Sequence, residues 1–319
     1  MQMRFIKCHG SGNDFPLVDG RAVSLSDAEW AQVARALANR AGPVGGDGLL
    51  VLTDGDAQAA FGMRMFNSDG SEAETCLNGL RCVARAGFEA LGITRAVARL
   101  KTSDATVARA APLGADVYTV EETAGPATLD IARWPLLLDG AGARLVDAPV
   151  AGLPTARRFT AVAMPNPHLV SFVEAVDDAD LSRIGAVCEA APPWLPHRAN
   201  VSFVEVRGDD ALFVRTFERG VGLTDSCGSA MAASTYAACL TGRIGYDREV
   251  TVFNRGGLVR ARAAADAMVT LCGNATWEWE ADVTIDLPAA RAGDLRVLRH
   301  MDAEIAAWAR IADAGGGPA

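Results

Sequence analysis

The sequence predicts an α/β (α+β) fold of two pseudo-symmetric halves, each a mixed sheet wrapped around a central helix that starts at a cysteine. A polar loop beginning at Asn67 leads to Cys76 and then to an amphipathic helix. A second polar loop, beginning at Glu218, leads to Cys227 and another helical pattern. In both halves a strand, a polar turn and a second strand come first, so we expect an internal duplication.

The elements of the first half follow from capping and periodicity. Ser26 is suited to cap a helix over about residues 27–39, whose apolar face includes Trp30 and Leu37. After Cys76, apolar residues recur at helical spacing as far as Leu91. Short apolar or alternating runs predict strands over 3–7, 15–18, 49–52, 61–66, 96–100, 105–110 and 117–121.

The second half repeats this order after a soft boundary at 124–138. We therefore expect domains at 1–130 and 131–285, with the tail 286–319 packing back on the first half or extending from it. The helix after Cys227 carries Met231, Thr235 and Ala238 on one stripe. Strands are predicted over 159–162, 169–173, 199–206, 211–216, 250–254, 258–261 and 267–272, and helices over 181–188 and 302–311.

Charge and hydrophobicity exclude several classes of function. The net charge of −9 argues against nucleic acid as a partner, because phosphate-binding surfaces are basic. No apolar run reaches the roughly 18 residues of a membrane span, and the N-terminal residues lack the apolar core of a signal peptide. These features predict a cytoplasmic protein that does not bind membranes.

The cysteines and histidines favour reduced thiols over a disulfide framework or a zinc site. The seven cysteines are odd in number and scattered, and none forms a C-x-x-C pair. The four histidines do not cluster with cysteines at ligand spacing, so no metal is expected. The run GSGNDF at Gly10 lacks the third glycine and the opening helix of a dinucleotide-binding motif.

The chemistry of Cys76 and Cys227 follows from their positions at helix starts. Unpaired backbone N–H groups and the positive end of the helix dipole lower the pKa of a thiol there, which makes it a usable base or nucleophile. A single free cysteine most often only packs in a core. A second cysteine at an equivalent helix start favours a functional pair, in which the two thiols flank one carbon of a substrate from opposite sides.

Six motifs, in order along the chain, carry a resemblance to a known family. The chain resembles the diaminopimelate epimerases, which are cofactor-independent amino-acid epimerases built from two mirrored α/β halves with the active site in the cleft between them. The resemblance covers roughly residues 3–285. The motifs are HGSGNDF at His9, GGDGLL at Gly45, NSDGSEAETC at Asn67, NPH at Asn166, RANVSF at Arg198 and ERGVGLT at Glu218.

The resemblance implies an isomerase that inverts the α-carbon of ll-2,6-diaminopimelate to the meso form, in lysine and peptidoglycan precursor biosynthesis. It implies no cofactor, a small amino-acid substrate as the ligand, and a homodimer. Inversion needs one group to remove the α-proton and another to return one, and the family pattern assigns these roles to Cys76 and Cys227. His168 and Glu218 match the residues that set the protonation of the cysteines.

The substrate-binding residues are also implied by the resemblance. The backbone N–H groups of Leu77, Asn78, Gly79, Gly228 and Ser229 would bind the α-carboxylate, and Arg219 would pair with the distal carboxylate. The family's polar substrate contacts match Asn13, Asn67, Asn166 and Asn200. For any one asparagine the alternative is ordinary turn or cap chemistry, and for His168 it is a structural histidine after a turn.

Two positions after the cysteines depart from the usual family pattern, and so does the approach to the second helix, which reads TDSC where TLAC is commoner. Leu77 follows the first cysteine, where the family has glycine, and Ala230 stands where a glycine is expected after the second. These departures leave the amino acid that is bound open. A cofactor-independent racemase of another amino acid, such as histidine, is the alternative enzyme, and a non-catalytic homologue is the alternative outside enzymology.

Overall fold

The computed structural model describes residues 1–138 and 142–312, which form two compact units. Within the described residues, unit 1 comprises 1–122 and 272–312, and unit 2 comprises 123–271. The halves expected from the sequence, 1–130 and 131–285, group residues 272–285 with the second half, whereas here these residues are part of unit 1.

The first part of unit 1 alternates strands with two helices. Its elements are β1 (Gln2–Gly10), β2 (Asn13–Asp19), α1 (Asp27–Ala38), β3 (Gly48–Asp54), β4 (Phe61–Asn67), α2 (Leu77–Leu91), β5 (Arg95–Arg99), β6 (Asp104–Arg109) and β7 (Thr119–Ala124). The last strand crosses the boundary into unit 2.

Unit 2 has the same alternation of strands and helices. Its elements are β8 (Ala148–Pro149), β9 (Arg158–Ala163), β10 (Pro167–Val173), α3 (Asp178–Glu189), β11 (Asn200–Val206), β12 (Ala211–Glu218), β13 (Gly222–Thr224), α4 (Gly228–Leu240), β14 (Val250–Asn254), β15 (Gly257–Ala263) and β16 (Val269–Asn274). The chain returns to unit 1 within β16, at Cys272, and continues as β17 (Thr276–Asp286), β18 (Arg291–His300) and α5 (Asp302–Ala312).

The strand pairing repeats between the units and confirms the predicted duplication. From β1 to β6, neighbours in the chain pair antiparallel, parallel, antiparallel, parallel and antiparallel. The series β9, β10, β11, β12, β14 and β15 pairs in the same sequence of directions. Parallel neighbours need a crossover, and α1 and α2 occupy the two crossovers of unit 1 as α3 and α4 occupy those of unit 2. Each unit is therefore a mixed sheet.

The central helices begin where the sequence predicts. Cys76 is the N-cap residue of α2, and Cys227 is that of α4. Gly92 ends α2 in the left-handed conformation, with φ of 68°, where a side chain would be strained. The first helix also matches its prediction, since Ser26 and Glu29 form a reciprocal capping box at the start of α1.

The fourth helix is more deeply buried than its predicted stripe indicates. Every residue of α4 from Gly228 to Cys239 is buried, and small side chains such as those of Ala232 and Ala233 are fully enclosed. A helix that is apolar on all sides belongs inside a core. Met231, Thr235 and Ala238 are thus only part of the buried surface.

Two strands near the C-terminal end were not predicted, β17 just before the tail and β18 within it. Strand β17 pairs with β1, and β18 pairs with β17, so both extend the sheet of unit 1. Helix α5 agrees closely with the helix predicted over 302–311. Residues 313–319 of the expected tail lie outside the described residues.

The described residues offer neither a membrane-spanning helix nor a cluster of metal ligands. None of the helices in residues 1–138 and 142–312 combines the length and the apolar character needed to cross a bilayer. In the same residues, no group of three or more histidine, cysteine and acidic side chains is arranged to hold a metal ion.

Candidate active site

The Cys76 thiol is held at the first turn of α2. β4 ends at Asn67, and the loop that follows brings Cys76 to the helix in an extended conformation. The backbone N–H of Gly79 donates to Cys76 Sγ at 3.4 Å. A Cβ at Gly79 would lie 2.6 Å from a methyl carbon of Leu50 and 3.4 Å from the sulfur. The absence of a side chain therefore lets the first turn of α2 pack closely against Leu50.

Asn13 is the polar neighbour of the Cys76 sulfur. It lies at the start of β2, and its Oδ1 is 3.7 Å from Cys76 Sγ and accepts from Asn78 Nδ2 at 3.4 Å. The carboxylate of Asp47 accepts from the Asn13 amide group and from the backbone N–H of Asp14. Because Asp47 takes the amide nitrogen, the carbonyl oxygen of Asn13 is directed toward the thiol.

A buried ion pair lies behind the start of α2. Arg81 and Glu122 are both fully buried, and Arg81 Nη1 donates to the Glu122 carboxylate at 2.6 Å. The same guanidinium donates to Asn78 Oδ1 at 2.8 Å and to Ser11 Oγ at 3.1 Å. Burial raises the pKa of Glu122 to about 7, and the charge of Arg81 opposes this rise. Arg81 thus connects α2 to the turn that precedes Asn13.

The Cys227 thiol has a different environment from Cys76. Its residue is 8% exposed, and its Sγ lies 3.5 Å from the hydroxyl of Ser229. Burial raises the pKa of Cys227 well above its usual value, and the carboxylate of Glu218 raises it further. The expectation that a helix start lowers the pKa is therefore wrong for Cys227, because desolvation and a nearby negative charge outweigh the helix dipole.

A chain of polar side chains leads from Ser229 to His168. Asn166 Nδ2 donates to Ser229 Oγ at 3.1 Å, and Asn166 Oδ1 lies 3.1 Å from His168 Nε2. Asn200 Nδ2 lies 3.5 Å from the same ring nitrogen. Burial, followed by the charge of Arg219, lowers the pKa of His168 to about 3, so the ring is neutral near pH 7.

Glu218 lies at the end of β12, where a hairpin turns the chain into β13. Glu218 pairs with Gly222 across this hairpin. The hydroxyl of Thr224 donates to the Glu218 carboxylate. The hairpin therefore fixes the carboxylate whose charge acts on Cys227.

Arg219 follows Glu218 in a turn that is held from two sides. Its backbone N–H donates to Asn200 Oδ1 at 2.9 Å. The next N–H, from Gly220, donates to the Glu189 carboxylate at 2.9 Å, and Arg198 Nη1 donates to the other oxygen of that carboxylate at 2.6 Å. Glu189, at the end of α3, thus ties Arg198 to the turn that carries Arg219.

The residues that the sequence singles out fall into one group in each unit. Near the start of α2 the structure brings together Asn13, Cys76, Leu77, Asn78 and Gly79. Around the start of α4 it brings together Asn166, His168, Asn200, Glu218, Arg219, Cys227, Gly228 and Ser229. Asn67 has a local role in this structure, since its Nδ2 donates to Ser71 Oγ within the loop. Leu77 is largely buried.

Three residues that support these two groups were not identified from the sequence. Asp47 lies within the GGDGLL motif, so that motif was a usable signal. Arg81 lies on α2, whose prediction depended on its apolar face. The signal in the sequence was a charged residue on the buried side of that helix. Glu189 follows the predicted helix and has no local signal, because its partners Arg198 and Gly220 are distant in sequence.

Solved structures with low sequence identity share the fold. A hydroxyproline epimerase from Agrobacterium vitis superposes with a TM-score of 0.62 at 14% identity, covering 90% of this chain and 92% of its own. A phenazine biosynthesis protein of the PhzF family from Bacillus anthracis gives 0.64 at 13% identity, covering 89% of this chain and 100% of its own. At these identities the similarity supports the fold alone.

Closer relatives share both sequence and length. The diaminopimelate epimerase of Clostridium acetobutylicum is 36% identical over 297 residues, which cover 90% of this chain and 87% of the relative. That of Enterococcus faecalis is 38% identical over 288 residues, covering 86% and 87%. The family model described as diaminopimelate epimerase matches residues 5–108 and 160–278, which include both cysteine-led helices. The chain therefore belongs to the diaminopimelate epimerase family.

Proposed function

We propose that this chain is a diaminopimelate epimerase, an isomerase that interconverts the ll and meso forms of 2,6-diaminopimelate and so contributes to lysine biosynthesis. The observation that carries the proposal is the repeated placement of a thiol. Cys76 and Cys227 are the N-cap residues of α2 and α4, which occupy equivalent crossovers in the two units. Two thiols supply the base and the acid that inversion requires, without an electron-sink cofactor.

The two environments favour a starting state with Cys227 as the thiol and Cys76 as the base. The raised pKa keeps the proton on Cys227, which leaves Cys76 as the thiol that takes the α-proton in this direction of the reaction. Cys76 would remove the α-proton while Cys227 delivers its own proton to the opposite face. The products are a protonated Cys76 and a deprotonated Cys227, which is the starting state for the reverse reaction.

His168 and Glu218 act on Cys227 in this proposal. The Glu218 carboxylate holds the proton on the sulfur by opposing a second negative charge. His168 stays neutral and orients Asn166, whose amide group donates to Ser229 beside the sulfur. His168 is therefore a positioning residue, and Glu218 sets the protonation state of Cys227.

The charged ends of the substrate determine the remaining roles. The backbone N–H groups at the starts of α2 and α4 would stabilise the α-carboxylate as negative charge develops in the transition state. Arg219 would pair with the distal carboxylate, with Asn67, Asn166 and Asn200 as polar contacts. An apolar amino acid would leave the Arg219 guanidinium without a carboxylate partner, at a cost of about 1–3 kcal/mol, and this favours diaminopimelate.

Location and assembly are part of the same proposal. We place the enzyme in the cytoplasm, where its thiols stay reduced, because none of the seven cysteines, all of which lie in the described residues, is joined in a disulfide. We expect a homodimer, which light scattering coupled to size-exclusion chromatography measures.

The experiment that tests the function uses a panel of amino acids in D2O. The purified chain is incubated with ll-diaminopimelate, histidine, glutamate, lysine and alanine, and α-deuteration and stereochemistry are followed by NMR and chiral chromatography. We expect inversion with deuterium incorporation for diaminopimelate alone. Turnover of histidine, with no turnover of diaminopimelate, would instead identify a racemase of another amino acid. No deuterium exchange with any of these amino acids would contradict an enzymatic role.

A further inference from the structure

The C-terminal helix α5 packs on β17 and is joined by an ion pair to the helix that Cys76 begins. Glu304 on α5 accepts from Arg85 Nη2 on α2 at 2.8 Å and from Arg85 Nη1 at 2.5 Å. The same carboxylate accepts from the backbone N–H of Trp277 at 3.2 Å. The Arg85 guanidinium also lies over the Trp277 ring, 4.4 Å from its centroid. An ion pair with two hydrogen bonds and a stacked cation fixes α5 in one orientation. Residues after 278, including Glu304 and all of α5, lie outside the part of the chain that the family model matches.

One turn further along α5, Trp308 reaches the histidine of the first motif. Trp308 is 6% exposed, and its ring centroid lies 5.9 Å from that of His9, with the planes tilted by 59°. Burial lowers the pKa of His9 to about 4, so the ring is neutral near pH 7. Its Nδ1 accepts a hydrogen bond from the backbone N–H of Gly12 at 3.2 Å. The tryptophan therefore packs against a ring that holds a turn.

That turn presents Asn13 to Cys76. Ser11 and Gly12 both have positive φ, of 52° and 81°, which for serine is a strained conformation that needs support. The backbone N–H of Ser11 is held by Asn274 Oδ1 at 2.7 Å, and that of Gly12 is held by His9. The next residue is Asn13, whose Oδ1 lies 3.7 Å from Cys76 Sγ.

We infer that α5 is a positioning element for the Cys76 thiol, acting through Trp308 on His9 and from His9 on the turn that presents Asn13. The inference rests on the proposed function, because it assigns α5 to the epimerase site. Trp308 is a positioning residue in this account, and it does not touch the substrate. Small displacements of a reacting group lower rates strongly, so loss of this contact has a kinetic effect as well as an effect on stability.

The experiment compares Trp308→Ala and Trp308→Phe in the full chain. Ile311→Ala is the matched control, since Ile311 packs in the same apolar cluster of α5 with Val117. Two properties are measured below the melting temperature of the least stable variant. One is kcat and KM for ll-diaminopimelate, and the other is the rate at which iodoacetamide alkylates Cys76, with Cys227 as the internal reference in peptide mapping.

We expect Trp308→Ala to lower kcat/KM about tenfold, mostly through kcat, and Trp308→Phe to recover most of the loss. Alkylation of Cys76 should rise several-fold in Trp308→Ala, because Asn13 leaves the sulfur, while that of Cys227 is unchanged. The double variant Trp308→Ala with His9→Ala should lose little more kcat/KM than the more damaged of the two single variants, since both substitutions break the same connection. If Trp308→Ala does not fold, Trp308→Leu, which keeps apolar volume, replaces it.

Three results would overturn the inference. The first is a folded Trp308→Ala variant with wild-type kcat/KM and wild-type Cys76 alkylation. The second is an Ile311→Ala variant with the same kinetic loss as Trp308→Ala. The third is a double variant of His9→Ala and Trp308→Ala whose loss of kcat/KM equals the product of the two single losses. Failure of the proposed function is distinguishable, because a wild-type chain without epimerase activity still gives a Cys76 alkylation rate in every variant.

Discussion

At the scale of single residues, the two thiols differ in what surrounds them. Cys227 is buried beside the Glu218 carboxylate, and both features hold its pKa well above the usual range. Cys76 is less buried and receives an N–H hydrogen bond from Gly79. Two identical side chains thus lie in different electrostatic environments, which is why the proposed mechanism gives them opposite roles.

Replacing Glu218 by glutamine should make Cys227 easier to deprotonate. The carboxylate raises the pKa of Cys227 by repelling a thiolate, so Glu218→Gln removes that repulsion and lowers the pKa. Alkylation of Cys227 by iodoacetamide should therefore begin at a lower pH than in the wild type, and epimerisation should slow. Glu174→Gln, an exposed position in the same unit, is the control. An unchanged alkylation profile in Glu218→Gln would show that this carboxylate does not set the protonation of Cys227.

Removing Glu189 should loosen the turn that carries Arg219. Its carboxylate accepts from Arg198 and from the backbone N–H of Gly220, so Glu189→Ala frees both. We expect KM for diaminopimelate to rise about tenfold with a smaller change in kcat, because the lost contact lies away from the reacting carbon. Steady-state kinetics with Glu174→Ala as the control measures this. A large fall in kcat at unchanged KM would assign Glu189 a different role.

At the scale of elements, the start of α2 depends on a buried ion pair. Replacing Arg81 by methionine leaves Glu122 buried without its partner, and such single removals cost about 3–5 kcal/mol of unfolding free energy. The double variant Arg81→Met with Glu122→Gln should recover a substantial part of that loss, since no charge is then buried alone. Denaturant titration measures both, and equal losses in the single and double variants would contradict this account.

Helix starts were the elements best predicted from sequence. Ser26 with Glu29, and the two cysteines before α2 and α4, mark starts that the structure confirms, because capping is chemistry within a few residues. Strand β17 was not recognised, although its residues alternate in burial. It pairs with β1, near the other end of the chain, and such a long-range partner leaves no local signal.

At the scale of the whole molecule, the duplication extends from the sheets to the candidate site residues. Asn13 lies at the turn between β1 and β2, and Asn166 lies at the turn between β9 and β10. Asn67 ends β4 and Glu218 ends β12, which are the strands that lead into α2 and α4. Each unit thus places its polar residues at equivalent points of the same topology.

The sequence identified the candidate site unevenly, for a physical reason. Cys76, Cys227 and the motif asparagines lie in polar loops before helices, where composition and family motifs are informative. Arg81 and Glu189 act through partners on other elements, Glu122 for the first and Arg198 with Gly220 for the second. Such contacts are created by packing, so the local pattern cannot reveal them. The lowered pKa expected for Cys227 was wrong for the same reason, since burial is a property of the fold.

The measurement that tests the central claim most directly is inversion of ll-diaminopimelate in D2O by Cys76→Ala and Cys227→Ala. Cys82→Ala and Cys239→Ala are the controls, since these cysteines lie on the same helices, α2 and α4. The wild type and both controls should form meso product with deuterium at the inverted carbon. Each test variant should lose at least about a hundredfold in rate, because one face of the carbon then lacks its acid or base. Inversion at a near wild-type rate in Cys76→Ala or Cys227→Ala would contradict the two-thiol account.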